Sequence, residues 1–214
     1  MQITIDMIKE LREKTGCGIM DCRSALEKSN GDMDLAMQEL REKGLKTAEK
    51  RADRVASEGR LEVYIHSEGR LVVMVELNCE TDFVSKNDSF LAFTKAVASL
   101  VAEHNPADVA ALSALPLSQD NFGPSVEDVR KGLIGKIGEN LAVRRFKRYA
   151  GGGQLASYLH GTRIGVIVEF TGDEDAQAKL LADIIKSEFR VIGFREEEAD
   201  LEDVFLKLTT GAVH

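Results

Sequence analysis

The chain has no tryptophan, three prolines, three cysteines and four histidines among its 214 residues, and each shortage removes a class of function. Cys17, Cys22 and Cys79 cannot all pair, and Cys17 and Cys22 have no His or Cys counterpart at zinc-ligand spacing, so they read as reduced, semi-buried side chains. His66, His104, His160 and His214 are scattered, with no nucleophile-type Ser or Cys motif beside them. A phosphate-binding loop needs Gly, four residues, then Gly-Lys-Ser/Thr. The nearest run, Gly132-Leu-Ile-Gly-Lys-Ile-Gly138, has the wrong spacing. The expectation is a protein that is not an enzyme and carries neither metal nor cofactor.

No apolar run approaches the ~20 residues that cross a bilayer. The opening Met-Gln-Ile-Thr-Ile-Asp lacks the charged start and apolar stretch of a signal peptide, which predicts a cytoplasmic protein off the membrane. Basic excess is missing too. The formal charge is −8, and residues 1–59 carry 11 basic and 12 acidic groups, residues 60–172 carry 12 and 13, and residues 173–214 carry 5 and 11. A near-neutral body with an acidic tail argues against direct nucleic-acid binding, which requires a basic face to replace phosphate counterions. A protein surface is the expected partner.

What is present, 43% hydrophobic and 30% charged residues, suffices for a real core. The first 44 residues read as three short helices punctuated at Thr15-Gly16, Asn30-Gly31 and Lys43-Gly44, where Gly allows a left-handed helix end. Thr4 and Asp32 stand as N-caps of the first and third. Ile5, Ile8 and Leu11 mark one inner face, and Leu35, Ala36 and Leu40 another. Residues 45–56 follow as a charged helical linker. From Leu61 the period drops to two, Ser67-Glu68-Gly69 makes a turn, and Leu71 to Leu77 is apolar enough for a central strand covered on both faces. Helices are expected at 88–103 and 125–140, then a second strand set at 142–149, 154–159 and 163–171, turning at Gly151-Gly152-Gly153. The fold class is α+β, divided as a module plus linker over 1–55, a core over 56–175 and a tail over 176–214.

Four collinear segments then stand out. Leu11-Arg-Glu-Lys-Thr-Gly-Cys-Gly-Ile-Met-Asp-Cys-Arg-Ser-Ala-Leu26, with Asn30-Gly31-Asp32 after it, resembles the opening of the elongation factor Ts family. Asn78-Cys-Glu-Thr-Asp-Phe-Val84, Lys136-Ile-Gly-Glu-Asn140 and Tyr158-Leu-His-Gly-Thr-Arg-Ile-Gly-Val166 recur in that family's order and at its distances.

The resemblance implies a guanine nucleotide exchange factor for elongation factor Tu, built from a small UBA-like three-helix module and an α+β core. It implies that Arg12, Gly18, Ile19, Met20, Asp21 and Arg23 dock on the GTPase. Thr81, Asp82, Phe83 and Val84 would intrude beside the GTPase's Mg²⁺ site, and His160 and Gly161 would touch the partner from another side. Short members of the family pair through the core, so a homodimer stands beside one-to-one binding.

By local physics alone Thr81-Asp82 would cap a turn, Phe83 and Val84 would pack beneath it, and His160 would be structural. Arg144, Arg145, Lys147 and Arg148 alternate along a strand and read as a solvated face. Beyond about Asp175 the chain departs from the family. Its ending, with Leu201-Glu-Asp-Val-Phe-Leu-Lys-Leu208, resembles the C-terminus of ABC-transporter ATPase subunits, as a fusion or as a divergent segment restoring the same packing. A second functional reading follows from that departure, a binding or regulatory module that does not exchange nucleotide.

Overall fold

The structure, a computed structural model, describes residues 3–66 and 70–170. The expected tail over 176–214 and the turn at Ser67-Glu68-Gly69 lie outside the described residues.

Helix α1 (Ile5–Thr15) begins at Thr4, whose hydroxyl accepts the Met7 N–H at 3.3 Å, and stops at Gly16, where φ is 66°. Helix α2 (Ile19–Lys28) follows, and α3 (Met33–Arg51) starts at Asp32, whose carboxylate accepts the Asp34 and Leu35 N–H groups at 3.0 Å each. Leu11, Cys22, Ala25, Leu26, Ala36 and Leu40 make the small core between them.

Two sequence expectations fail here. Helix α3 does not stop at Lys43-Gly44, because its inner stripe runs at four-residue intervals through Ala36, Leu40, Gly44 and Ala48 and keeps finding a partner. Gly44 lies against Gly135, and Ala48 belongs to the larger core. Leu35 and Ile5 are exposed: Leu35 is one position off that stripe, and Ile5 opens the first turn of α1, before the buried part of its face at Leu11 and Thr15.

Strands β1 (Glu58–His66) and β2 (Leu71–Cys79) pair antiparallel in the register Glu58↔Cys79 to His66↔Leu71. Helices α4 (Asp88–His104), α5 (Val109–Ser113) and α6 (Val126–Ile137) come next, α4 capped by Asn87 and α6 by a capping box of Ser125 and Asp128. Val73, Val75, Leu77 and Cys79 of β2 face Phe90, Phe93, Val97 and Val101 of α4 and Val129 and Leu133 of α6.

The expected second strand set is not one sheet. Strand β3 (Ala142–Ala150) pairs antiparallel with β2, giving the order β1-β2-β3, while β4 (Gln154–His160) and β5 (Ile164–Phe170) form a separate hairpin after the Gly151–Gly153 turn. That hairpin lies over the opposite face of the first sheet, with Gly165 against the Met74 thioether. Both faces of β2 are thereby covered, as its unbroken apolar run predicts.

Candidate functional site

Strand β2 ends at Cys79, and the chain turns out of the sheet through Glu80, Thr81 and Asp82 before a single 3₁₀ turn, Val84–Lys86, leads to α4. Val84 and Ser85 are buried, and the Ser85 hydroxyl donates to the Asp82 carbonyl at 2.6 Å. Inward anchoring of these two throws the preceding residue outward. Phe83 is 80% exposed, against the local expectation that it packs under the turn. Such exposure is unusual for an aromatic side chain, which buries ~150–250 Å² when covered. Asp82 is exposed and paired with Lys86 at 3.1 Å.

The turn is held from the far side of the sequence. Glu139, just after α6, accepts the Glu80 N–H at 3.1 Å, the Thr81 N–H at 2.9 Å and the Thr81 hydroxyl at 2.6 Å. Reciprocally, the Glu80 carboxylate accepts the Asn140 N–H at 2.6 Å. Asn140 is buried and donates its side-chain amide to the carbonyls of Ala52 and Arg54, at 3.3 and 2.8 Å. Glu139 and Asn140 belong to the Lys136–Asn140 motif, in which sequence alone assigns them no role. Only the fold brings them to Thr81. Burial, with the Glu139 and Glu58 carboxylates near, pushes the Cys79 thiol up to about 12, so it is an inert packed group.

The second expected contact, His160 and Gly161, occupies the exposed turn of the β4–β5 hairpin, with the Tyr158 hydroxyl 3.0 Å from His160 Nδ1. The same pairing recurs at Tyr64 and His66, 3.2 Å apart, at the end of β1. Strand β1 links this turn to the Thr81 loop. Its Leu61 N–H donates to the Thr162 carbonyl at 2.7 Å, its Glu58 pairs with Arg163, and Glu58 lies opposite Cys79.

In the helical module, Gly18 is the N-cap of α2, and Ile19 and Met20 after it are 54% and 71% exposed. A bundle this small leaves such side chains without cover. Asp21 reaches Lys43 of α3 at 2.6 Å, Arg23 pairs with Glu27 at 2.8 Å, and Arg12 is exposed on the last turn of α1. The module meets the core at the end of α6. Lys136 runs across Gly16 to Asp120 and Ser89, at 3.0 Å each, and Asn121 donates to the Lys14 carbonyl. Burial alone would raise the Asp120 carboxyl, but its bonds to Ser89 and Lys136 outweigh burial and hold it below its usual range.

Among the described residues there is no cluster of His, Cys, Asp and Glu able to hold a metal, and no helix long and apolar enough to cross a membrane. The arrangement offers an exposed ring on a braced loop, an exposed apolar pair on a helix start and a strand turn.

Comparisons with known proteins identify relatives of the chain. A family model described as Elongation factor TS matches residues 80–187, past the point near Asp175 where the sequence departs from the expected pattern. Among curated relatives, Elongation factor Ts of Polaromonas sp. (strain JS666) is 60% identical over 176 residues, covering 82% of this chain and 57% of the relative. That of Leptothrix cholodnii is 60% identical over 171 residues, covering 80% and 55%. That of Acidovorax sp. (strain JS42) is 48% identical over 229 aligned positions, covering 99% of this chain and 76% of the relative. The chain thus spans little more than half the length of the first two relatives. With the family match over residues 80–187 and the extended similarity to the Acidovorax protein, the chain belongs to the elongation factor Ts family.

Proposed function

We infer that the chain promotes release of GDP from elongation factor Tu. The observation that carries this reading is Phe83, an aromatic ring exposed on a loop whose next two residues, Val84 and Ser85, are buried and whose exit from the sheet, Glu80 and Thr81, is bound by Glu139. A GTPase holds GDP largely by its phosphates, through backbone donors, a lysine and Mg²⁺ that offsets their charge. A stiff ring wedged between partner side chains displaces the elements holding the metal, and loss of the metal weakens every phosphate contact.

Asp82 acts beside Phe83 by engaging backbone donors on the displaced element. A carboxylate serving as a lasting metal ligand would oppose the loss of the ion. Arg12, Gly18, Ile19, Met20, Asp21 and Arg23 dock the helical module on the GTPase domain, and His160 and Gly161 make the second contact of the core. Linkage fixes the direction: a factor that lowers GDP affinity by some ratio is itself weakened in binding by GDP in the same ratio. No covalent step is required.

The test is release of fluorescently labelled GDP from elongation factor Tu with and without the chain. Acceleration that grows with chain concentration is the expected result. Complex formation without acceleration would overturn it in favour of a binding module that does not exchange nucleotide.

A further inference from the structure

Phe83 works as a wedge only if the loop beneath it resists being pushed back. Val84 and Ser85 hold the loop from one side by burial, but Glu80 and Thr81 lie on the exit from the sheet, beyond the last β1–β2 pair. Their N–H groups have one common acceptor. The Glu139 carboxylate takes both of them and the Thr81 hydroxyl, so one side chain closes three hydrogen bonds across 58 and 59 residues of sequence. Hydrogen bonds to an ionised acceptor are about twice as strong as neutral ones. The return bond from the Asn140 N–H to Glu80 makes the clasp reciprocal, and the bonds from Asn140 to Ala52 and Arg54 tie it to the end of α3.

We propose that Glu139 is the positioning residue of the exchange reaction: its carboxylate braces the Glu80–Thr81 exit so that the exposed Phe83 ring transmits force to the partner. Glu139 touches neither nucleotide nor metal and acts through the loop. The inference rests on the exchange reading above, and it makes a claim about the free protein as well.

Two substitutions separate the clasp from a role for the charge itself. Glu139→Gln retains a carbonyl oxygen for the two N–H groups and an amide that can donate to the Thr81 hydroxyl. Glu139→Ala removes all three bonds. Since the chain has no tryptophan, Phe83→Trp places a single indole at the ring position. Its time-resolved anisotropy reports nanosecond motion of the loop without any partner present.

Expected results are a larger fast component of anisotropy decay with Glu139→Ala and little change with Glu139→Gln. In chains that keep Phe83, Glu139→Ala lowers the maximal rate of GDP release on the order of tenfold, as misplacement of a working group does. Its half-saturating concentration, set by the whole docking surface, moves far less, and Glu139→Gln recovers most of the rate. Unchanged anisotropy and unchanged release in Glu139→Ala would overturn the proposal. So would an equal loss in Glu139→Gln with the indole still ordered, which would assign the effect to charge. If Glu139→Ala does not fold, Thr81→Val removes one bond of the three, and its failure to loosen the indole would be equally fatal. Should the unsubstituted chain not accelerate release, the exchange reading fails, while the anisotropy comparison still decides whether Glu139 orders the loop.

Discussion

Gly44 and Gly135 meet where α3 crosses α6, with so little space that a Cβ added to Gly135 would stand 2.6 Å from the Gly44 Cα. The relation is not symmetric. A Cβ added to Gly44 would stand 3.8 Å from the Gly135 Cα, an ordinary contact distance. One glycine is required by the crossing and the other is tolerated by it.

Opposite effects are therefore expected from the same substitution at the two positions. Gly44→Ala should stabilise the fold by up to about 1 kcal/mol, the helix-propensity difference between the two residues. Gly135→Ala gains the same propensity but forces backbone apart, with a strain of about 1–3 kcal/mol. It should be destabilising, and should loosen α3 on α6. Urea unfolding of both variants checks this, and equal signs would refute it.

Phe83→Ala should leave stability within about 0.5 kcal/mol of the parent, because its exposed side chain makes no capping hydrogen bond at the start of the 3₁₀ turn and such a side chain contributes little to folding. Release of GDP from elongation factor Tu should slow on the order of tenfold if the ring supplies even one well-buried aromatic contact in the complex. Stopped-flow release alongside thermal unfolding separates the two effects.

Alkaline pH should weaken the fold through Cys79. Its thiol titrates at about 12 in the folded chain against 9.0 ordinarily, a raised value. Below pH 9 the thiol is protonated in both states and its contribution is intact. Above that, the unfolded chain ionises while the folded one does not, and stability falls by at most about 1.4 kcal/mol per pH unit. Unfolding midpoints at pH 8 and pH 10.5 should differ less in Cys79→Ala than in the parent. The buried Cys22, also raised, leaves part of the slope in place.

Much of the fold was legible because the signals are local. Thr4 and Asp32 cap the helices they were expected to cap, Gly16 ends α1, and the apolar run of β2 identified a strand covered on both sides. The misses share one cause, contact between segments far apart in sequence. Gly44 reads as a stop until Gly135 fills the opposite face, and β3 reads as a neighbour of β4 until its register with β2 is seen. At the site, exposure of Phe83 depends on the buried Val84 and Ser85 beside it, and its bracing depends on Glu139. The resemblance located both motifs, but no spacing rule connects positions 81 and 139.

The unbroken path of α3 also sets an angle. From the helical module to the core it runs as one helix of 19 residues, in which each residue advances about 1.5 Å and turns about 100°. Inserting a single residue between Leu40 and Gly44 would keep both cores intact yet swing the exposed Ile19 and Met20 by more than a quarter turn about the helix axis. The bearing of the exposed Ile19–Met20 pair relative to the exposed Phe83 ring is thus counted out in residues, and any change of length in α3 is a change of aim.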